Sequence, residues 1–383
     1  MVEWKEYRIK DLGEVVTGNT PPTSNREYYG TEYKFIKPTD MVEGQRFVST
    51  TEEYYSELAY QKYKKCLLPP KTPCVVTIGS LGKKMCLTDT ECFTNQAVNA
   101  VIPNKENDGE FLYYAFKASV LAYVKQLDSG TTSGRENVSK SSFSKIKVRV
   151  PPLPTQQKIA SILSAYDNLI QNYKKQIEAL QTAASELYKE WFVRFRFPGY
   201  KNSRFENGIP EGWKVVLASE LGEFVRGKNI TAEEMQEGTI PVISAGIEPS
   251  GFHNQSNVNG VSLTISNSGA NAGYLQINYS DIWAADCSYC NDSKYIYFYY
   301  ELLNNMRVVL FNLQKGAAQP HVYAKDINKM KILLPPSDLI ETADNKIKLM
   351  HEKIYSLQQQ ITNLTQQRDL LLPRLMSGKL EVE

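Results

Sequence analysis

Residues 4–18 read WKEYRIKDLGEVVTG, and residues 213–227 read WKVVLASELGEFVRG. At an offset of 209 they share Trp4/Trp213, Leu12/Leu221, Gly13/Gly222, Glu14/Glu223, Val16/Val225 and Gly18/Gly227. Further along, KIKVRVPP (Lys145 to Pro152) realigns with KMKILLPP (Lys329 to Pro336) at an offset of 184. Matches at two fixed offsets mean one module present twice in tandem, and the smaller second offset means that the second copy is shorter inside.

A long helical pattern follows each Pro-Pro pair. Ile159, Leu163, Tyr166, Ile170, Tyr173, Ile177, Leu180, Ala184, Leu187 and Trp191 step by alternating fours and threes. Ala343, Ile347, Met350, Ile354, Leu357, Ile361, Leu364, Arg368, Leu371 and Leu375 keep the same phase at the offset of the Pro-Pro pairs. Such spacing sustained over four heptads is a coiled-coil seam. Either stripe alone could be the buried face of a bundle helix. Two matched seams favour pairing with each other, and the intervening module lets them run antiparallel. Leu163, Ile170, Ile177 and Leu180 on one helix and Ile354, Ile361 and Leu364 on the other are expected to hold the pair. Arg368 flaws the second seam and is expected to mark where pairing ends. Pro154 opens the first helix and Pro198-Gly199 ends it. Asp338 with Glu341 offers a capping box for the second, and Pro373 stops or kinks its end. Each helix should run about 35 residues, or ~50 Å.

The remaining segments carry short β-branched and aromatic runs between Gly, Asn and Ser turns: CVVTIG (74–79), VSLTIS (261–266) and YIYFYY (295–300). YIYFYY could equally begin a helix, as FLYYAFKASVLAYVKQL (111–127) does. The expected fold class is α+β (mixed α/β). Globular modules occupy 1–150 and 199–334, and long helices occupy 151–198 and 335–383.

Composition agrees with this division. The 383 residues exceed the roughly 250–300 at which a single core stops growing. Hydrophobic residues at 42% and charged residues at 22% exclude a disordered or collagen-like chain. Lys+Arg 44 against Asp+Glu 42 leaves a net charge of +2, so any DNA binding must use local patches. No apolar run approaches the ~20 residues of a membrane span. The start, MVEWKEYRIK, lacks the apolar core of a signal peptide. Six cysteines without a dense framework read as reduced thiols of a cytoplasmic protein.

Catalytic motifs do not stand out. GEFVRGKN (222–229) matches the phosphate-binding loop G-x-x-x-x-G-K-[ST] except at its last position, where Asn229 replaces the magnesium-holding hydroxyl. The repeat supplies a control: Gly13 to Thr20 keeps the glycines and has no lysine, so the motif reads as a shared structural turn that acquired Lys228. Cys287-x-x-Cys290 lacks the second pair that a structural zinc needs. Three scattered histidines form no nucleophile-and-base pattern. By contrast, Lys62, Lys64, Lys65, Lys71, Lys83 and Lys84 form a cationic strip with Tyr54, Tyr55, Tyr60 and Tyr63 alongside. Phosphate contacts need such a strip, although a solvated surface run reads the same way.

Several segments carry a family resemblance. They include LGEVVTGNTPPTSNREYYG, FIKPTDM and SGTTSGREN, then VRVPPLPTQQKIASILSAYDNLI and LYKEWFVRFRFPGY. ENGIPEGWKVVLASELGE, ISNSGANAGYL, KGAAQPHVYAKDINKMKILLPP and LLPRLMSGKL continue the match through the second half. Over essentially its whole length the chain resembles the specificity (S) subunit of a type I restriction–modification system. That resemblance implies two tandem target-recognition domains, each reading half of a bipartite DNA target. Two conserved antiparallel helices would set the spacer and dock methyltransferase (modification) subunits, usually two. It also implies that S-adenosylmethionine, ATP and Mg belong to partner modification and restriction subunits, this chain holding no cofactor or metal and having no catalytic residue. PPSDLIETADNKI (335–347) departs from the first copy's PPLPTQQ start, so its cap and contacts should differ.

Base readout needs donors and acceptors on loops that reach a groove. Candidates in the first module are Asn19, Thr20 and Ser24, then Lys83 and Lys84, and Thr131, Thr132, Ser133 and Arg135. In the second module Arg226, Lys228 and Asn229 fall at the equivalent turn. Gln319 and His321 match Ser133 and Arg135 in role. Two other readings remain open at this point: a two-headed scaffold for protein or another polymer, and a nucleotide hydrolase using the Gly222 turn.

Overall fold

The computed structural model describes residues 3–127, 136–316 and 319–382. The first module contains β1 (Lys5–Arg8), β2 (Gly13–Thr17), β3 (Tyr29–Ile36), β4 (Glu53–Tyr55), β5 (Pro73–Val76), β6 (Met85–Leu87), β7 (Cys92–Thr94), β8 (Val98–Pro103) and β9 (Lys147–Val150). Its helices are α1 (Ile9–Leu12), α2 (Glu57–Tyr63), α3 (Gly109–Ala115), α4 (Leu121–Gln126) and α5 (Lys140–Ser144), with a π-helical turn (Phe116–Val120) joining α3 to α4. Side chains fix three helix starts by accepting orphan amides. Ser56 accepts from Ala59 N (3.3 Å), Asp108 from Phe111 N (2.8 Å) and Ser139 from Ser142 N (3.1 Å).

A long helix, α6 (Leu153–Tyr188), follows, continued by a π-helical turn at Lys189–Val193. A small hairpin of β10 (Phe205–Glu206) and β11 (Ile209–Pro210) leads into the second module. That module contains β12 (Lys214–Leu217), β13 (Val225–Arg226), β14 (Ile240–Ile243), β15 (Gly251–His253), β16 (Ser262–Ser266), β17 (Leu275–Asn278), β18 (Trp283–Ala284), β19 (Cys287–Cys290) and β20 (Lys331–Leu334). Its helices are α7 (Ile296–Asn305), α8 (Arg307–Asn312) and α9 (Ala324–Asn328), and α10 (Ser337–Met376) closes the chain.

The two modules have the same topology. Four-stranded sheets run β2-β8-β5-β6 and β13-β19-β16-β17; three-stranded sheets run β4-β3-β7 and β15-β14-β18. In each three-stranded sheet the central strand is parallel to the last. The repeated sequence signatures turn out to be partners: β1 pairs antiparallel with β9, and β12 with β20. Each module therefore begins and ends side by side. Most of the length difference lies in the β3–β4 connection and in α2, which has no counterpart between His253 and Ser262. The ambiguous YIYFYY run is helical from Ile296.

The chain divides into two compact units, Met1–Asn172 with Ile361–Glu383, and Tyr173–Gln360. Each unit thus takes one module together with half of each long helix, which differs from the sequence boundaries at 150, 198 and 334. The cause lies in the seams, whose side chains also build the module cores. In the first unit Ile159 and Leu163 of α6 and Leu372 and Leu375 of α10 share one core with Phe111, Phe116 and Phe143. In the second, Ala184 and Tyr188 of α6 and Ile340, Ala343 and Ile347 of α10 join Phe298, Tyr299 and Leu302. Within each unit the helix halves run antiparallel. A fully buried side chain such as Leu163 contributes about 1.5–3 kcal/mol.

Three expectations about the helices need correction. Pairing does not end at Arg368, because the core continues to Leu372 and Leu375. Arg368 instead meets Asp167 of α6 at 2.5 Å, and Tyr114 of α3 donates to the same carboxylate at 2.6 Å. Helix α10 runs through Pro373 to Met376. It also starts at Ser337, with Leu339 N and Ile340 N bonded to the Pro336 carbonyl, so Asp338 lies inside the helix rather than at its cap. Glu341 approaches Lys294 instead (3.6 Å). At the helix starts, buried Gln156 bonds Pro151 O (2.9 Å) and Asp108 N (2.9 Å); Ile340, its equivalent in the second copy, makes the corresponding site apolar.

The polar positions where module meets helix are inverted between the copies. In the first unit Lys117 lies near Asp167 and Arg368, and burial, with Arg368 adding to it, lowers its pKa. In the second, the repeat offset puts Glu301 in the place of Lys117 and His351 in that of Asp167, while Ala184 stands for Arg368. His351 Nε2 lies 3.3 Å from Glu301 Oε1, both side chains being 2% exposed, and His351 Nδ1 lies 2.8 Å from Tyr279 OH.

Candidate nucleic-acid interface

In each four-stranded sheet the antiparallel order puts one set of connections at one end. These are the turn after β2 or β13, the β5–β6 or β16–β17 loop, and the approach to β8 or β19. The backbone there is the same bond for bond. Gly18 N donates to Val98 O and Asn19 N to Thr94 O; Gly227 N donates to Cys287 O and Lys228 N to Ala284 O. Gly79 N meets Glu136 O and Val138 N meets Thr77 O; Gly269 N meets Pro320 O and Val322 N meets Asn267 O. Even the turn carbonyl is held alike, by Tyr55 OH on Asn19 O (2.6 Å) and by Trp283 Nε1 on Lys228 O (2.8 Å).

This geometry explains the repeated glycines. A Cβ at Gly18 would strike the Thr94 carbonyl, and one at Gly227 would lie 2.5 Å from the carbonyls of Ala284 and Ala285. The glycines are present because β7 and β18 approach closely. Val225–Arg226 is a strand, and Lys228 lies over the Trp283 ring at 5.9 Å. A phosphate-cradling loop before a helix needs a different arrangement. Cys287 and Cys290 point to different cores, and burial pushes both thiols up to about 12. Among the described residues no three or more His, Cys, Asp or Glu side chains are grouped to hold a metal.

The first module brings Asn19, Thr20 and exposed Lys83 to this end, where Thr20 donates to Gln96 Oε1. Ser24 bonds Asn25 (3.1 Å) on the connection to β3. Thr131, Thr132, Ser133 and Arg135 lie outside the described residues. The lysine strip does not stay together, because the chain passes from α2, packed beside β3, to β5 of the other sheet. Lys62 donates to Tyr28 OH (2.7 Å), Lys64 covers the Tyr60 ring, and Lys65 is exposed just beyond α2. Lys71 pairs with Glu110 (3.4 Å), and Lys84 donates to Pro38 O (2.8 Å).

The second module gathers Arg226, Lys228, Asn229 and His321. His321 bridges Ser268 and Lys315 through its backbone, as Asn137 bridges Ile78 in the first module. Gln319 is exposed just before it. Sequence reading missed Gln96, Ser268 and Asp286. Asp286 accepts from Ser268 Oγ and lies 3.8 Å from Arg226. Ser268 lies within ISNSGANAGYL, one of the resembling segments, which was the available signal. Of the described helices, none is long and apolar enough to cross a membrane.

Two α+β modules with matched loop ends, each seated on both long helices, are the class of fold seen in a crystallised S subunit of the type I restriction–modification system from M. genitalium. That chain superposes with a TM-score of 0.69 at 19% identity, over 98% of this chain and 96% of the other. The sequence matches the type I restriction modification DNA specificity domain over residues 1–182 and 210–369, and the chain belongs to that family. It is 29% identical to the MjaIX specificity subunit of Methanocaldococcus jannaschii, over 100% of this chain and 94% of that protein. It is 35% identical to the HindI specificity subunit of Haemophilus influenzae over 175 residues, 44% of this chain and 38% of the other. The chain is accordingly a specificity component that works in a complex with other restriction–modification subunits, not an enzyme by itself.

Proposed function

We propose that the chain reads a two-part sequence in double-stranded DNA, each module contacting one half through the loop end of its four-stranded sheet. The bond-for-bond equivalence of those two ends carries this reading, since one scaffold displays Asn19, Thr20, Gln96 and Lys83 in one copy and Arg226, Lys228, Asn229 and His321 in the other. The long helices set the unread spacer. Their off-seam side chains, including Leu349 and Leu370 at 67% and 64% exposure, dock two methyltransferase subunits. S-adenosylmethionine, ATP and Mg are used by those subunits and by restriction subunits that complete the complex in the cytoplasm. Modified-base sequencing of cellular DNA, with this chain present or absent beside its methyltransferase, tests the proposal. A gapped motif should be methylated only when the chain is present, and replacing module 1–150 should change one half alone. If chain and partner are both expressed and no such motif depends on the chain, the proposal fails.

A further inference from the structure

The two matched loop ends carry different side chains. The first module displays Lys83 beside the neutral groups Asn19, Thr20 and Gln96. The second displays an ion pair: Arg226, 64% exposed, lies 3.8 Å from Asp286, 28% exposed. Ser268 donates to the other oxygen of Asp286, Oδ2, which fixes the carboxylate's orientation. The pair sits where β13 ends and β19 begins, beside the turn that carries Lys228 and Asn229.

A carboxylate only accepts hydrogen bonds and repels phosphate. Beside DNA its useful partner is a base that offers a donor, and in the major groove cytosine offers only its N4 amino group. Arginine only donates, and guanine offers N7 and O6 together as acceptors. An arginine and an aspartate side by side therefore complement the two bases of one G·C pair. We infer that Arg226 and Asp286 determine specificity by reading a G·C base pair in the half-target of the second module, with Ser268 as the positioning residue for Asp286. This rests on the function proposed above.

The test uses the complete complex with methyltransferase, carrying Asp286→Asn or Arg226→Gln, and reads the methylated motif by modified-base sequencing. Asp286→Asn is isosteric and keeps an acceptor for Ser268, so a purely structural role would leave the motif unchanged. Arg226 is exposed on an edge strand, so its variant decides the matter if Asp286→Asn melts below the wild type. Each substitution should relax one G·C position by about 10- to 100-fold, with every position of the other half kept. The inference is overturned if the second half contains no G·C pair, if both motifs match the wild type, or if methylation falls uniformly without a change of preference. A wild-type complex that methylates no gapped motif at all would instead refute the proposed function itself.

Discussion

Replacing Arg368 by Ala removes the cation from a largely buried ion pair, since Arg368 and Asp167 side chains are 11% and 9% exposed. Asp167 would keep the Tyr114 hydroxyl and lose its opposite charge. Stranding one member of such a pair costs about 3–5 kcal/mol. Asp369, the other partner of Arg368, is about half exposed and adds little to that figure. The first unit holds residues 153–172 of α6 and 361–376 of α10, and hydrogen exchange of their amides reads its opening directly. Protection there should fall by roughly 10²- to 10⁴-fold, while residues 173–188 and 337–360 serve as the internal control. The double variant Asp167→Leu/Arg368→Met, which replaces both charges by apolar groups, should recover part of that protection, the remainder being withheld because the Tyr114 hydroxyl loses its acceptor. An Arg368→Ala loss below about 1 kcal/mol, the range of exposed pairs, would refute the claim that this pair is part of the seam.

Three further outcomes follow from the geometry. Gly227→Ala pushes a methyl against the carbonyls of Ala284 and Ala285 and should destabilise the second module by about 1–3 kcal/mol, measured by thermal unfolding; an unchanged unfolding temperature would refute that close approach. Lys228→Ala should alter stability by less than about 1 kcal/mol, an exposed cation–π contact. It should also reduce the slope of DNA affinity against salt by about one, which titrations at several salt concentrations would show. Burial raises the pKa of Asp344, although the amides of Phe298 and Tyr297 oppose this. The folded state therefore holds that proton more tightly than the unfolded chain, so the wild type should lose stability relative to Asp344→Asn as pH rises from about 4; parallel unfolding curves across that range would contradict it.

The duplication and both seams are legible because period and offset survive in any sequence that keeps them. Arg368 misleads because a heptad pattern scores a charge as a break, and its partner Asp167 lies off the apolar stripe and far away in the chain. The repeated glycines read as structural, and they are. Their cause, a carbonyl of a strand distant in the chain, has no local signature. Lys62 to Lys84 form a strip only along the chain, since strand order, which no pattern disclosed, sends the ends of that run to different sheets. For the same reason Arg226 and Asp286, with β14 to β18 between them in the chain, could not be seen as neighbours.

The inverted polar pairs beneath the modules bear on how such a chain can be rebuilt by recombination. Each module leaves its helices through adjacent strands, β1 with β9 and β12 with β20, so a crossover at those strands could lift it out as a cassette. Moved to the second place, the first cassette would bring Lys117 against His351, without the carboxylate that Asp167 supplies in the first place. The second, moved to the first place, would set Glu301 against Asp167 with Arg368 left to serve both carboxylates. Exchange like for like meets no such conflict. Inheritance of new cassettes is thus easier within a position than between positions, and an engineer who transposes them must carry the two socket residues across as well.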